Sequence, residues 1–393
     1  MQNRIFIIIA LLISASLGVW ALVNGVSWYR FFSAERSRNQ AIDNVINSHR
    51  SEKEGLNDGA DPFGEDGVVR VLFIGLDKRA GQTEGHCDAI QLITIDKTKP
   101  EVLITAVPRG TYSPLPFGKG VTSSDYYVSN ACGLGGLEYG IDQIEKILGQ
   151  RADYLVTVGF SEVLGVLRNL ELPTTETLQW LRQRHSYAIG EPQRAHDHST
   201  FLKYLLTNFI PRQNTQIDKA LQYIVFKTVN TDLSFSQAQT IIGVLSTMDL
   251  ANQPERVHLA MRPAYSVQDI EYVPENLGQY LDSTLSPIKD RLAKDDYSGD
   301  TAEEVQNKLL NLIDGRKNDP EFIAWVFEND LWLQIEDREK RLSTQFEFLE
   351  KYISLESKKA ESKSIVAEYI LEMENRGESM WVEKGRELLA REI

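Results

Sequence analysis

The sequence predicts a layered α/β domain whose helices cover a mostly buried sheet. It is preceded by one membrane-spanning helix and followed by an all-helical extension. Three observations lead there. Apolar runs of strand length alternate with amphipathic runs of helix length over the middle of the 393-residue chain. Residues 5–29, "IFIIIALLISASLGVWALVNGVSWY", hold no charge and are long enough to cross a bilayer. From residue 296 on the chain is charged, amphipathic and almost free of proline and glycine.

Taken in order, residues 1–32 read as an uncleaved anchor with Trp20, Trp28 and Tyr29 at its far interface. Residues 33–65 are a polar linker ending in "GLNDGADPFGEDG". Then come strands at 68–77, 88–96 and 101–110. "GLEYGIDQIEKILG" is a helix with apolar residues at 137, 141, 144 and 148, stopped by Gly149. A buried strand at 152–160 precedes "SEVLGVLRNL", a helix with Ser161 as its N-cap. "TLQWLRQR", "STFLKYLLTNF" and "SFSQAQTIIGVLSTM" are further helices, the last capped by Ser234 or Ser236, and 256–263 returns as a strand. The α/β domain spans 66–290 and the helical extension 296–393, which reads as a hairpin or short bundle packing on itself or on a partner protein.

Composition narrows the function. With 56 acidic against 42 basic residues the chain is no general nucleic-acid binder, which would need a basic face. Half of the excess lies in the last quarter, so a local cationic site in the α/β part is allowed. Cys87 and Cys132 are too few for a disulfide framework and read as two unpaired small hydrophobes, although one bridge in an oxidising compartment is open.

The cationic site has a candidate. "LRQRHSYAIGEPQRAHDHS", 181–199, places three arginines and three histidines in nineteen residues of an acidic chain. Guanidinium forks suit phosphate oxygens, so Arg182, Arg184 and Arg194 point to an anionic ligand. Arg182 and Arg184, about 200° apart on a helix, converge only if the helix ends there. Arg109, after a strand and a proline, projects from a strand end. Asp77 and Asp88 close one strand and open the next, and an antiparallel pairing would set the two carboxylates side by side, a donor pair suited to Mg²⁺. His196 and His198, two apart on a helix, diverge, which argues against a transition-metal centre.

The ordered set "VLFIGLDKRAGQTEGHCDAIQLITID", "VLITAVPRGTY", "SNACGLGGLEYGIDQIEKILGQRADYLVTVGF", "ETLQWLRQRHS", "QRAHDHS" and "TVNTDLSFSQAQTIIGVL" resembles the LytR–CpsA–Psr family over about residues 66–275. The resemblance implies an α-β-α domain with a central mixed sheet. It implies transfer of a glycopolymer from a polyprenyl-pyrophosphate carrier to peptidoglycan or a related wall acceptor, with Mg²⁺, on the outer side of the cytoplasmic membrane. That orientation runs against the local charge count, in which Arg30, Arg36 and Arg38 outnumber Arg4. By position, Asp77 and Asp88 become metal-associated carboxylates, and Arg79, Arg109, Arg182, Arg184 and Arg194, with His198, become pyrophosphate-binding residues. The chain departs from the family pattern at His86, Gly110, Val128, Asp197 and His198, where cationic or polar family residues are replaced. The alternatives are a catalytically weak pyrophosphate-binding scaffold and a metal-dependent hydrolase using His196 and His198.

Overall fold

In the computed structural model the described residues are 45, 61–77, 85–182, 190–210, 222, 225–280, 302–328, 330–355, 358 and 361–391. They fall into two compact units, divided along the chain between Leu355 and Glu356. The larger unit is built on six strands: β1 (Val68–Asp77), β2 (His86–Asp96), β3 (Glu101–Ala106), β4 (Tyr154–Gly159), β5 (Asn230–Thr231) and β6 (Val257–Met261). Their order is β5-β4-β1-β2-β3-β6. β1, β2 and β3 form an antiparallel meander, β4 and β6 join its two sides in parallel, and β5 pairs antiparallel with β4. The sheet is therefore mixed, as the resemblance implied.

Alternation along the central strands divides the core into two layers. Leu72, Ile74, Ile90 and Leu92 face α1 (Val128–Gly135) and α2 (Leu137–Leu148), which contribute Val128, Cys132, Leu137, Ile141 and Ile144. α2 stops where the pattern predicted, with Gly149 left-handed at φ 72° and its N–H on the carbonyl of Glu145. On the other face Val69, Val71, Ile95, Val102 and Ile104 meet α6 (Phe235–Thr247), and Leu202 and Leu206 of α5 (Glu191–Phe209). Ser234 caps α6 with a reciprocal bond to Gln237, which decides between the two candidate caps.

Two further helices belong to this unit's α/β part: α3 (Phe160–Asn169) and α4 (Thr174–Arg182). Ser161 is not the cap of α3, because the helix begins at Phe160 with Gly159 as N-cap, two residues earlier than a cap at Ser161 would give. Ser161 instead lies buried in the first turn and accepts from Gln334 Nε2 at 3.1 Å.

The extension contributes α7 (Ala302–Arg316), α8 (Pro320–Glu328) and α9 (Arg338–Ile353) to the same unit. The link is α3: Arg168 donates to the carbonyls of Leu333 and Ile335, and Leu333 closes over Gly165. Carbonyls in that irregular 331–335 stretch need partners, and a planar guanidinium serves two of them. The second unit contains α10 (Ser362–Asn375) and α11 (Ser379–Arg391), with Val366, Met373, Trp381 and Leu388 buried. No helix among the described residues is long and apolar enough to cross a membrane. The anchor expected at 5–29 lies outside those residues.

Cys87 and Cys132, read from sequence as unpaired, form a disulfide with a Cα–Cα distance of 5.8 Å. It ties β2 to α1 across a sequence separation of 45 residues. Loop closure of that length predicts that reduction, or Cys132→Ser, lowers unfolding free energy by about 2–4 kcal/mol. Urea denaturation with and without reductant measures this.

Candidate active site

The site begins with an irregularity in the hairpin. Gly75 lies opposite Ala89 and Leu76 opposite Cys87, so Asp88 is an extra, unopposed residue on β2. Such a bulge reverses the facing of everything beyond it. Cys87 and Ile90, three residues apart, thus enter the same core layer, while Asp88 and Gln91, also three apart, both reach α5. A Cβ on Gly75 would stand only 2.9 Å from that of Ala89, so this position needs glycine. Asp77 lies opposite His86 rather than Asp88. The two carboxylates share one end of the sheet, offset by the bulge instead of side by side.

Arg109 arrives at that end from β3. Val107 still bonds to Ile90, and the chain then turns, with Thr111 N–H on the Pro108 carbonyl at 2.9 Å. The first turn of α1 fixes the turn from outside, Ser129 N–H donating to the Arg109 carbonyl at 3.1 Å. The disulfide holds α1 against the residue next to Asp88. Placed in this way, Arg109 Nη1 pairs directly with Asp88 Oδ1.

The third component descends from α5. Arg194, its side chain 7% exposed, directs Nη2 at the Asp88 carbonyl (3.3 Å), at Asp88 Oδ2 (3.9 Å) and at Glu191 Oε2 (3.3 Å). Glu191 also meets Arg109, with Oε1 at 3.5 Å from Nε. Two guanidinium groups and two carboxylates therefore alternate around one cluster. Gln91 anchors α5 above it, donating to the Ala195 carbonyl at 2.9 Å and accepting from Ser199 at 2.7 Å. Gln193 bonds Asp197 and both donates to and accepts from the backbone of Gln268, which ties the segment after β6 to the same helix.

The structure brings together Asp88, Arg109 and Arg194 of the expected set. The described part of α4 runs to Arg182, and the α4–α5 neighbourhood is apolar, with Trp180 and Phe201 buried; the convergence expected of Arg182 and Arg184 falls outside the described residues. The side chain of Arg182, and Arg79 and Arg184 altogether, lie outside the described residues. His198 is placed differently from the phosphate-binding role expected of it. Its Nε2 meets the Leu181 carbonyl at 2.8 Å, so that nitrogen carries the proton and Nδ1 is left as a buried acceptor with no hydrogen-bond partner among the described residues. His196 turns instead to Asp269 at 3.2 Å, so the two rings diverge.

Sequence reasoning missed Glu191 and Gln91. The signal for Glu191 was Gly190-Glu191-Pro192, a glycine followed by an acid and a proline in a first helical turn. That for Gln91 was a polar residue inside an apolar strand.

Burial pushes the His198 pKa down to about 4, with the positive charge of Arg194 acting in the same direction. The unfolded chain binds this proton near pH 6.5, before the folded one does. The stabilisation is thus fully present above that value and is lost as pH falls towards 4, by at most about 3 kcal/mol. Urea midpoints at pH 7.5 and pH 4.5 should differ less in His198→Gln than in the wild type.

For a divalent cation the donor types fit. Asp77 and Asp88 are hard oxygen donors at neighbouring strand ends, and among the described residues Asp88 Oδ2 takes no hydrogen bond, with Arg194 Nη2 3.9 Å away. Among the described residues no group of three or more His, Cys, Asp or Glu is gathered for a metal. A site here would therefore leave part of its shell to water and ligand, which is the habit of Mg²⁺. Arg109 also keeps a donor in hand: Nη1 and Nε face carboxylates, while Nη2 has no partner among the described residues.

A mixed sheet flanked by helices, with paired arginines and carboxylates at one end of its strands, defines an α/β protein with a charged cluster at the sheet edge. Residues 29–167 match the model of the LytR_cpsA_psr family. A "polyisoprenyl-teichoic acid–peptidoglycan teichoic acid transferase TagU" of Bacillus cereus is 23% identical over 177 residues, 44% of this chain and 55% of the relative. The protein of the same name from Bacillus licheniformis is 25% identical over 183 residues, 46% and 56% of the two chains. The chain thus spans about half the length of the curated relatives it matches. Among solved structures, B. subtilis TagV superposes with a TM-score of 0.43 at 14% identity, over 57% of this chain and 98% of that one.

Proposed function

We propose that this protein is a transferase of the cell envelope. It would move a glycopolymer from a polyprenyl-pyrophosphate carrier to a hydroxyl of peptidoglycan or a related wall acceptor. The observation that carries this reading is the Asp88–Arg109–Arg194–Glu191 cluster in a chain whose residues 29–167 match the LytR_cpsA_psr family model. The TagU relatives are named for transfer of teichoic acid to peptidoglycan. The reading places the domain outside the cytoplasmic membrane, which agrees with a Cys87–Cys132 disulfide. Residues 5–29 would be its anchor.

In such a reaction the acceptor oxygen bonds to the phosphorus that carries the glycopolymer, and the bond from that phosphorus to the bridging oxygen breaks. Polyprenyl phosphate leaves with the bond's electrons. Catalysis of this kind rests on positioning and on neutralising the non-bridging oxygens. Arg194 is the fixed cation: nearly buried, it cannot turn away, and it would hold the pyrophosphate from below. Arg109, more exposed and with no partner for Nη2 among the described residues, would meet it from the rim. Asp88 and Glu191 keep both forks oriented before the ligand arrives, and either carboxylate could take the acceptor's proton. Mg²⁺ held by Asp77 and Asp88 would supply further charge neutralisation at the phosphates. Arg79, Arg182 and Arg184 would extend the cationic rim, and the helical extension would offer a face to a partner protein.

The scaffold alternative draws on one specific feature. Each guanidinium seen here already faces carboxylates, so the cluster carries no net charge from these four groups. Two measurements on the full chain in detergent separate the readings. Calorimetry with a short polyprenyl pyrophosphate should show binding that Arg109→Ala weakens roughly ten- to a hundredfold, and that Arg151→Ala, a surface variant, leaves unchanged. Transfer from a lipid-linked donor to peptidoglycan fragments should accompany it. Binding without transfer would select the scaffold. Equal binding by wild type and Arg109→Ala would remove both readings.

A further inference from the structure

Between the turn that presents Arg109 and the start of α1 the chain makes an excursion, residues 110–127. It contains Tyr112, Phe117, Val121 and Tyr127, which are 70%, 107%, 91% and 43% exposed. These are four of the nine large hydrophobic side chains exposed among the described residues. Isolated surface hydrophobics are ordinary, but so many in one short segment beside a site are not.

The segment is braced. Its neck closes through a Tyr112–Tyr127 bridge, with Ser113 N–H on Tyr126 O and Val128 N–H on Thr111 O. Further out, Tyr139 of α2 donates its hydroxyl proton to the Pro114 carbonyl at 3.0 Å, and Lys119 N–H meets the Pro116 carbonyl at 3.1 Å. Phe117 is thus held at the tip of a structured loop, and nothing in the described fold covers it.

Charge selects the occupant. The chain carries a formal charge of −14, yet from Gly110 to Ser124 the one charged residue is Lys119. The first acid beyond, Asp125, turns its carboxylate inward to the amides of Val121 and Thr122, each at 2.8 Å. An apolar tip, flanking tyrosines and one lysine with no acidic partner among the described residues match an interface with acyl chains below and anionic headgroups above.

We propose that the 110–127 loop docks on the surface of an anionic lipid bilayer. Phe117 and Val121 enter the acyl boundary, the tyrosines lie at headgroup level and Lys119 meets lipid phosphate. Its purpose rests on the reading of the site as one for a lipid-linked phosphate. Docking beside Arg109 would bring the site to the depth at which a carrier's pyrophosphate leaves the membrane.

The test uses the full chain reconstituted in vesicles of phosphatidylcholine with phosphatidylglycerol, carrying an environment-sensitive fluorophore on Phe117→Cys. Glu255→Cys, exposed just before β6 and so at the opposite end of the parallel β3–β6 pair, is the control. The expected result is a blue-shifted, brighter emission at 117, quenched by acyl-chain spin-labelled lipid, with water-like emission at 255. A Phe117→Ser/Val121→Ser variant should bind a short soluble polyprenyl pyrophosphate like the wild type, but lose most transfer from carrier embedded in vesicles. Water-like, unquenched emission at 117 overturns the proposal. So does an emission change that appears with peptidoglycan fragments and not with vesicles, which would assign the loop, with its stacked Tyr112 and Tyr126 rings, to a glycan. Because the fluorescence needs no pyrophosphate binding, failure of the loop and failure of the site remain distinguishable.

Discussion

Arg194→Ala is expected to abolish measurable binding of a short polyprenyl pyrophosphate and to lower unfolding free energy by about 3–5 kcal/mol. The two effects share one cause. Arg194 is 7% exposed in its side chain and faces both Asp88 and Glu191. Without it, two carboxylates share a half-closed site with Arg109 as their nearest described cation. Removing one member of a buried pair costs more than the pair contributes, because the remaining charge keeps its desolvation penalty. Arg194→Lys should recover part of the stability and little of the binding, since an ammonium restores charge without the fork. Adding Glu191→Gln to Arg194→Ala should likewise recover stability and not binding. Urea denaturation and calorimetry on the same preparations read both quantities. Wild-type affinity in a folded Arg194→Ala would refute the assignment of the site.

Much of the fold was legible because its signals are local. β1 spans 68–77 as its apolar run indicates, and α2 starts and stops at its leucines and glycine. The errors have physical reasons. α5 was expected from Ser199 but begins at Glu191, because "EPQRAHDH" is polar enough to look solvated while Gln193, Arg194 and Asp197 are buried. A helix whose buried face serves a charged site breaks the apolar periodicity that announces a helix. The bulge at Asp88 is invisible for a related reason. It depends on the register between two strands, and residue types do not record register. The disulfide lay beyond reach because the approach of β2 to α1 is a tertiary fact, in which Val128 and Cys132 of α1 share one core layer with Ile90 and Leu92 of β2.

The site was legible in its residue types and less so in its pairings. Asp88, Arg109 and Arg194 were named from strand ends and from an improbable density of arginine in an acidic chain. What the sequence could not supply was the carboxylate pairing each cation. Glu191 sits three residues before Arg194, and spacing alone reads that as a helix surface pair of little consequence. The structure instead shows Glu191 shared between two arginines from different elements. That sharing changes the electrostatic problem from attraction of an anion to exchange of one anion for another.

Asp88→Asn tests that exchange, and its two expected effects have opposite signs. Transfer should fall roughly a hundredfold or more, with the fold intact, because the charge that would hold Mg²⁺ beside the phosphates is gone. Affinity for Mg²⁺ alone, read by calorimetry without any lipid, should fall with it. Binding of the pyrophosphate analogue in EDTA should nevertheless equal or exceed that of the wild type. Asp88 occupies Arg109 Nη1 and stands 3.9 Å from Arg194 Nη2, so in a metal-free site it competes with phosphate for both guanidinium groups. A neutral amide of the same shape still accepts a hydrogen bond from Arg109 but competes weakly. In the wild type, Mg²⁺ should therefore tighten analogue binding, whereas in Asp88→Asn it should have little effect. If Asp88→Asn weakens analogue binding in EDTA as strongly as Arg109→Ala does, Asp88 organises the site rather than competing within it, and the exchange model fails.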